Sequence, residues 1–409
     1  MRRQPTFKSV TRRDPSLGKI FVLLLVLFGA VYGGLWAADA LRGHYFVGNW
    51  ESKAHAAIED ARQLVEERRD AEARELLTPI VARVSDARIT PEALLLLSKI
   101  EKASGNMEQA EAYLQRVTSE FPNSPHHPKA ALAYARLLED NGETDRAMGL
   151  YAEVRDTAAP AFRAEALTAF GRQAERENDL LMARDYYATA VEDAEWDSEA
   201  WNEALDGLGD TNVELIFSPM ETPESRHYEV ESGDNLTNIG VELNTTQGLL
   251  MRANNIENPA DLRVGQRLKY TPKDFRIVIE RSTRRLFLLD NDGIFKRYDV
   301  GLGRPGQDTV LGSYRVGNKQ KDPTWFKPGY GPIPPNDPRN ELATRWMPMV
   351  PEEEGLPTDL GIHGTIAPET IGTYGSNGCV RMYTEEVEEL YDLVVRATPV
   401  EVVEVFSPI

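Results

Sequence analysis

The stretch IGTYGSNGCVRM, residues 371–382, holds Cys379, the only cysteine among 409 residues. A single thiol cannot close an internal disulfide, and its ordinary place is a small apolar position in a core. The neighbours here are of another kind: Gly375, Ser376, Asn377 and Gly378 are turn formers. A thiol on a glycine turn beside a cation, Arg381, is placed as a nucleophile is, because nearby positive charge favours thiolate. One cysteine also excludes a disulfide framework and any multi-cysteine zinc site, and no HExxH pattern occurs. Neither a metal nor a cofactor is expected.

A cysteine nucleophile at neutral pH needs a proton acceptor and donors for an oxyanion. Of six histidines, only His363 falls in the same region, sixteen residues before the thiol in LGIHGT. That apolar approach ending in His-Gly predicts a strand edge, from which an imidazole can face a thiol on the next loop. Arg381 either adds positive potential or anchors the loop. From 275 onward, RIVIE, RLFLLD, FKRYDVG, GSYRVG and VEVVEVF are separated by turns such as DNDG, which predicts a mostly β domain. Residues 318–360 hold nine prolines with Trp325, Phe326, Tyr330 and Trp346, an irregular loop long enough to cover or line a site. GLGRPG has the glycine spacing of a dinucleotide turn at Gly301, Gly303 and Gly306. Pro305 and QDTVLGSYRV then lead into a strand instead of a helix, so these glycines serve turns.

A chain of this length predicts roughly three folded units. The formal charge is −19, yet the first nineteen residues carry six Lys/Arg against Asp14, so that end is +5 and the remainder −24. So acidic a body repels a phosphate backbone, and nucleic acid is not an expected partner. Residues 1–19 are predicted to be a basic cytoplasmic tail. IFVLLLVLFGAVYGGLWAADA, residues 20–40, follows, with no charge from Ile20 to Ala38. A run of that length crosses a bilayer as a helix with its basic flank inside. A cleavable signal peptide ending at ADA is the alternative, and the long apolar run favours a retained anchor. Either way the body is exported.

Residues 50–212 read as helices with a repeat. Ala73, Ala110, Ala147 and Ala183 are spaced by 37, 37 and 36 residues. Leu77, Leu114, Tyr151 and Tyr187 follow four later, and Ile80, Val117, Val154 and Ala190 seven later. Residues 213–226, with two prolines, are predicted to be a linker. Residues 227–272 begin and end in alternating runs. Between them lie two amphipathic stretches, one with Leu236 and Ile239 and Asp234 as its expected N-cap, the other with Leu249, Leu250 and Ala253.

The repeat resembles tetratricopeptide repeats, which bind partners or act as spacers. SGDNL, ANNI and VGQRL, in order on a strand–helix–helix–strand plan, resemble the LysM module over 227–272. That resemblance implies binding of N-acetylglucosamine-containing glycans such as peptidoglycan, with Gly233, Asp234 and Asn235 on one side of a groove and Asn255–Asn258 opposite. IHGT followed by YGSNGCVRM, with GLGRPGQDTVLGSYRV and YTEEVEELYDLV around them, resembles the YkuD-type L,D-transpeptidase catalytic domain over 275–405. The fold class is therefore multidomain α+β. It comprises a transmembrane helix, all-α repeats, a βααβ LysM module and a mostly-β catalytic domain.

The resemblance implies that Cys379 attacks the carbonyl of the third residue of a peptidoglycan tetrapeptide stem. D-alanine leaves, and a stem or protein amine, or water, takes the acyl group. His363 would accept the thiol proton, with its other ring nitrogen held by the carbonyl of Gly364. Backbone N–H groups of Asn377, Gly378 and Cys379 would hold the oxyanion, Ser376 would contact substrate, and Arg381 would complete the catalytic set. Most members carry His where this chain has Asn377, which touches loop polarity and the choice of acceptor, not the base. A hydrolase on the same fold and a noncatalytic wall-binding scaffold are the alternatives. The expected location is the inner membrane, with the catalytic domain in the periplasm or wall space and a possible protein partner on the repeats.

Overall fold

The structure, a computed structural model, describes residues 50–83, 88–291, 293–327 and 329–407. The expected basic tail and apolar span, 1–40, lie outside the described residues, among which no helix is long and apolar enough to cross a membrane. The chain divides into two compact units, meeting at Asn141 and Gly142.

The first unit is helical: α1 (residues 50–66), α2 (Asp70–Arg83), α3 (Thr90–Ala103), α4 (Met107–Glu120) and α5 (His127–Asp140). The striped positions fall on alternate helices, and Ala73, Leu77 and Ile80 of α2, like Ala110, Leu114 and Val117 of α4, are all buried. Each small Ala lets its helix approach the partner closely while the larger residues fill the groove beside it. Gly105, at φ +81°, takes the left-handed turn that ends α3.

The second unit continues the pattern with α6 (Thr144–Thr157), α7 (Pro160–Arg176), α8 (Leu180–Asp193) and α9 (Glu199–Phe217). Tyr187 of α8 sits in a slot made by two glycines. A Cβ on Gly171 or on Gly207 would lie 2.5 Å from its ring, and its hydroxyl donates to Glu175 at 2.8 Å. The predicted linker starts late, because α9 runs on through Phe217. Val213, Ile216 and Phe217 are buried in the core of the C-terminal sheet, and that burial holds the helix to within two residues of Pro219.

A βααβ module follows: β1 (Arg226–Glu229), α10 (Leu236–Glu242), α11 (Gln247–Ala253) and β2 (Arg267–Tyr270), with β1 and β2 antiparallel. Asn235, not Asp234, caps α10, accepting from the Asn238 N–H. The Asp234 carboxylate instead accepts from Tyr228 Oη at 3.0 Å and from the Glu231 N–H at 2.7 Å. The module is locked to its neighbours at helix ends. Lys269 Nζ donates to the Leu215 and Ser218 carbonyls at 3.0 and 2.6 Å, at the C-terminus of α9, where a cation is favoured. The Arg252 guanidinium lies 3.5 Å from the centre of the Phe217 ring.

The remaining strands are β3 (Phe275–Glu280), β4 (Arg285–Asp290), β5 (Gly293–Asp299), β6 (Leu302–Gly303), β7 (Gly312–Val316), β8 (Gln320–Lys321), β9 (Trp325–Lys327), β10 (Gly331–Ile333), β11 (Arg345–Pro351), β12 (Gly361–His363), β13 (Tyr374–Ser376), β14 (Val380–Arg381) and β15 (Pro399–Val403), with α12 (Thr384–Leu393) between the last two. The main sheet has the order β14-β12-β11-β7-β15-β3-β4-β5, with β8 paired to β11. β3 and β4 read as near-continuous apolar runs because both faces are covered. Ile277, Ile279, Leu286 and Leu288 face the domain core. Val278, Phe287 and Leu289 pack on Tyr187, Trp201 and Leu205 of the helices. Asn212 Nδ2 donates to the Phe295 carbonyl at 3.0 Å, fastening α9 to β5. Residue 212 is therefore an interior point of this unit and not a domain edge.

The tyrosine slot makes a measurable claim. Gly207→Ala puts a methyl against the Tyr187 ring and is expected to cost about 1–3 kcal/mol. Gly149→Ala, on a helix face with nothing within 4 Å, is expected to stabilise by about 0.5–1 kcal/mol through helix propensity. Thermal denaturation of the full chain reads both, and equal effects would contradict the packing described.

Candidate active site

β12 and β14 are parallel neighbours with Ile362 opposite Val380 and His363 opposite Arg381. Side chains alternate along each strand, so Ile362 and Val380, both fully buried, point into the core. Gly361 and His363 take the other face, and so do Cys379 and Arg381. Cys379 thus stands beside Gly361, two residues along from His363 on the adjacent strand. The thiol itself donates to the Asp359 carbonyl at 3.8 Å, and the imidazole stands further along the same face. The position between them has no side chain for a reason: a Cβ on Gly361 would run into the indole of Trp346. Trp346 is the register partner of His363 on β11, and the two rings lie 5.8 Å apart at 38°. The imidazole is clamped.

His363 is 4% exposed, and its Nδ1 lies 2.6 Å from the Gly364 carbonyl oxygen. A carbonyl only accepts, so Nδ1 carries the proton and Nε2 keeps a free lone pair. Burial drives the pKa of the ring down to about 4, against the pull of that carbonyl. The base is therefore neutral at pH 7 and ready to accept. Burial likewise pushes the half-buried Cys379 thiol above its ordinary value, with the Asp359 carboxylate adding to the rise and the Gly361 N–H and Arg381 opposing it. The thiolate expected from the nearby cation is not the resting form. Dehydration outweighs Arg381, whose Nη2 is already 3.2 Å from the Glu341 carboxylate. The resting site is a neutral thiol and a neutral imidazole.

The turn before the thiol is held by hydrogen bonds within the protein. Gly378 has φ +107°, and a Cβ there would lie 2.8 Å from Leu360. Ser376 is 2% exposed; its Oγ donates to the Cys379 carbonyl at 2.6 Å and accepts from the Gly378 N–H at 3.2 Å. That hydroxyl spends its proton inside the loop, so it serves the turn and has no donor left for the expected contact with substrate. The bond it accepts takes the Gly378 N–H out of the expected oxyanion set. The N–H groups of Asn377 and Cys379 keep no protein acceptor among the described residues. Thr309, which nothing in the local pattern singles out, is completely buried. Its Oγ1 donates to the Gly378 carbonyl at 2.8 Å and accepts from the Gly303 N–H at 3.0 Å. The glycine-rich GLGRPG turn is thereby the brace of the thiol loop.

The residues expected to bind glycan lie at two places in the module, the entry to α10 and the segment after α11. Gly233 and Asn235 are exposed at the entry to α10, and Asp234 is half-buried there. Asn255, at φ +53°, lines a cleft of about 1730 Å³ between α9, the βααβ module and the sheet domain, with Phe217, Lys319 and Arg345. Gly233, Asp234 and Asn235 do not line it. Arg345 alternates with Trp346 along β11, so this cleft lies across the sheet from the thiol.

Family comparisons agree with this layout. Residues 274–402 match the L,D-transpeptidase catalytic domain (YkuD), 228–271 the LysM domain and 103–169 the tetratricopeptide repeat. Two curated relatives, from Bacillus licheniformis and Bacillus subtilis, each carry the name "Putative L,D-transpeptidase YkuD". Both are 27% identical to this chain, over 181 and 182 residues, covering 43% of it and 97% of the relative. Among solved structures, the catalytic domain of an Enterococcus faecium L,D-transpeptidase is 25% identical. It aligns with 32% of this chain and 98% of its own at a TM-score of 0.26.

Because the thiol rests protonated, alkylation of Cys379 by iodoacetamide is expected to be slow at pH 7. Its rate should climb about tenfold per pH unit through the neutral range, as the thiolate fraction does, because burial holds the thiol above its ordinary value. A plateau reached at or below neutral pH would show a resting thiolate instead.

Proposed function

We propose that this chain is a cysteine L,D-transpeptidase acting on peptidoglycan stems, held to the membrane by residues 20–40 and facing the periplasm or wall space. The observation that carries the reading is a thiol and a neutral imidazole on one face of a parallel strand pair, the imidazole's Nδ1 tied to the Gly364 carbonyl. The family matches over the catalytic and LysM segments supply the substrate class.

That arrangement supports the following steps. As Cys379 Sγ attacks the carbonyl of the third stem residue, its proton passes to His363 Nε2 and the carbonyl oxygen takes the negative charge. The free N–H groups of Asn377 and Cys379 support that oxyanion, each such donor being worth ~3–4 kcal/mol in the transition state. Collapse breaks the C–N bond, and the proton on His363 goes to the departing D-alanine amine, leaving a thioester. An amine from a second stem or a protein then attacks, gives its proton to His363, and the thiol takes it back as the new amide forms. A neutral pair suits this sequence, because no ion pair has to be dismantled before attack.

Incubation of the purified chain with tetrapeptide muropeptides, followed by mass spectrometry, tests the reading. Dimers linked through the third residue, with release of D-alanine, are expected. Tripeptide monomers alone would make the chain a hydrolase, and no product at all would leave a wall-binding scaffold. Cys379→Ala and His363→Ala should each lower turnover by about 10³-fold or more. The acid limb of kcat/KM should fall near pH 4, where His363 takes up a proton and can no longer accept one. An acid limb near 6.5, the ordinary histidine value, would contradict the burial argument.

A further inference from the structure

Glu341 lies in the irregular loop just before β11. Its carboxylate accepts from Arg381 Nη2 at 3.2 Å, and its charge and backbone carbonyl both oppose the fall in the pKa of the His363 imidazole. One residue thus bears on both the ring and the neighbouring cation. Arg381 is opposite His363 in register and on the same face. Its side chain is only 14% exposed, and its Nε is buried with no partner among the described residues. Among the described residues that guanidinium is ion-paired with Glu341, and removing one partner of a largely dehydrated pair leaves the other charge uncompensated.

Among the described residues, three charges bear on the reacting atoms. Arg381 comes from β14, Glu341 from the loop before β11 and Asp359 from the loop before β12. β11 itself presents the uncharged Trp346 to the imidazole. An uncompensated guanidinium here would favour thiolate yet oppose imidazolium, so it would weaken the base that has to receive and carry the sulfur's proton. We propose that Glu341 is a positioning residue for acyl transfer, holding and neutralising Arg381 so that His363 can carry the thiol's proton. This rests on the reading that Cys379 and His363 perform acyl transfer, and it adds the requirement that the cation beside them be balanced from a separate loop.

The test uses the full chain and two readouts that a merely structural role would move together. Glu341→Gln is expected to lower kcat for stem transfer on the order of tenfold, with KM little changed, and to speed iodoacetamide alkylation of Cys379 several-fold at pH 7. Glu341→Asp should restore both in part. The double variant Glu341→Gln/Arg381→Met, which removes both charges, should transfer faster than Glu341→Gln alone, and it reads the same balance if the single variant folds poorly. Transfer and alkylation falling together in Glu341→Gln, or a double variant slower than the single one, would overturn the proposal. Were the unsubstituted chain to show no transfer, the acyl-transfer reading would fail, while unchanged alkylation in Glu341→Gln would separately refute the electrostatic role of Glu341.

Discussion

The site depends on the parallel pairing of two very short strands, β12 and β14. Their register sets Cys379 and His363 on one face and sends Ile362 and Val380 into the core. A slip of one residue would turn the thiol to the opposite face from the imidazole. The register is defended from both sides. Below, fully buried apolar side chains make any slip costly. Above, Gly361 admits the Trp346 indole, and the Thr309 and Ser376 hydroxyls tie the Gly378 turn to the rest of the domain. The glycine content around the thiol therefore answers two separate steric demands, a positive φ at Gly378 and a ring pressed on Gly361.

Burial also decides the protonation state. A cation next to a thiol is the usual way to make thiolate, and Arg381 is in place to do so. The site is dry enough that both charged forms are penalised, and the cation is paired with Glu341. The result is a pair that stays neutral until a substrate carbonyl gives the sulfur something to attack. Such a thiol is also guarded from casual oxidation, which follows thiolate character.

Beyond the site, the second unit is more tightly joined than a string of modules. α9 finishes the helical repeats and at the same time covers the sheet, with Val213, Ile216 and Phe217 in the sheet's own core. Lys269 caps α9 from the βααβ module, and Thr246 Oγ1 of that module donates to the Asp392 carbonyl near the end of α12. A glycan held by the module would therefore keep a set position relative to the sheet, and through it to the thiol.

Much of this was legible in the residues alone. The Ala73-Leu77-Ile80 stripe and its copies named the buried faces of alternate helices, because a helix repeats its neighbours every three to four residues. The turn glycines, the lone thiol and the single nearby histidine named the pair on which the proposed chemistry rests, and the structure sets them on adjacent strands. Three things were not readable there. The cap of α10 passed from Asp234 to Asn235, since both are good capping residues and only the strand before them decides which one aligns. Ser376 and Gly378 proved to bond each other, a matter of turn geometry. Thr309 and Glu341 reach the thiol loop across 69 and 40 residues of chain. Sequence by itself determined which elements form and which side chains are candidates for chemistry. Tertiary structure alone decided which hydroxyls and charges meet those atoms and how dry they are, because such contacts arise between segments with no shared period or motif.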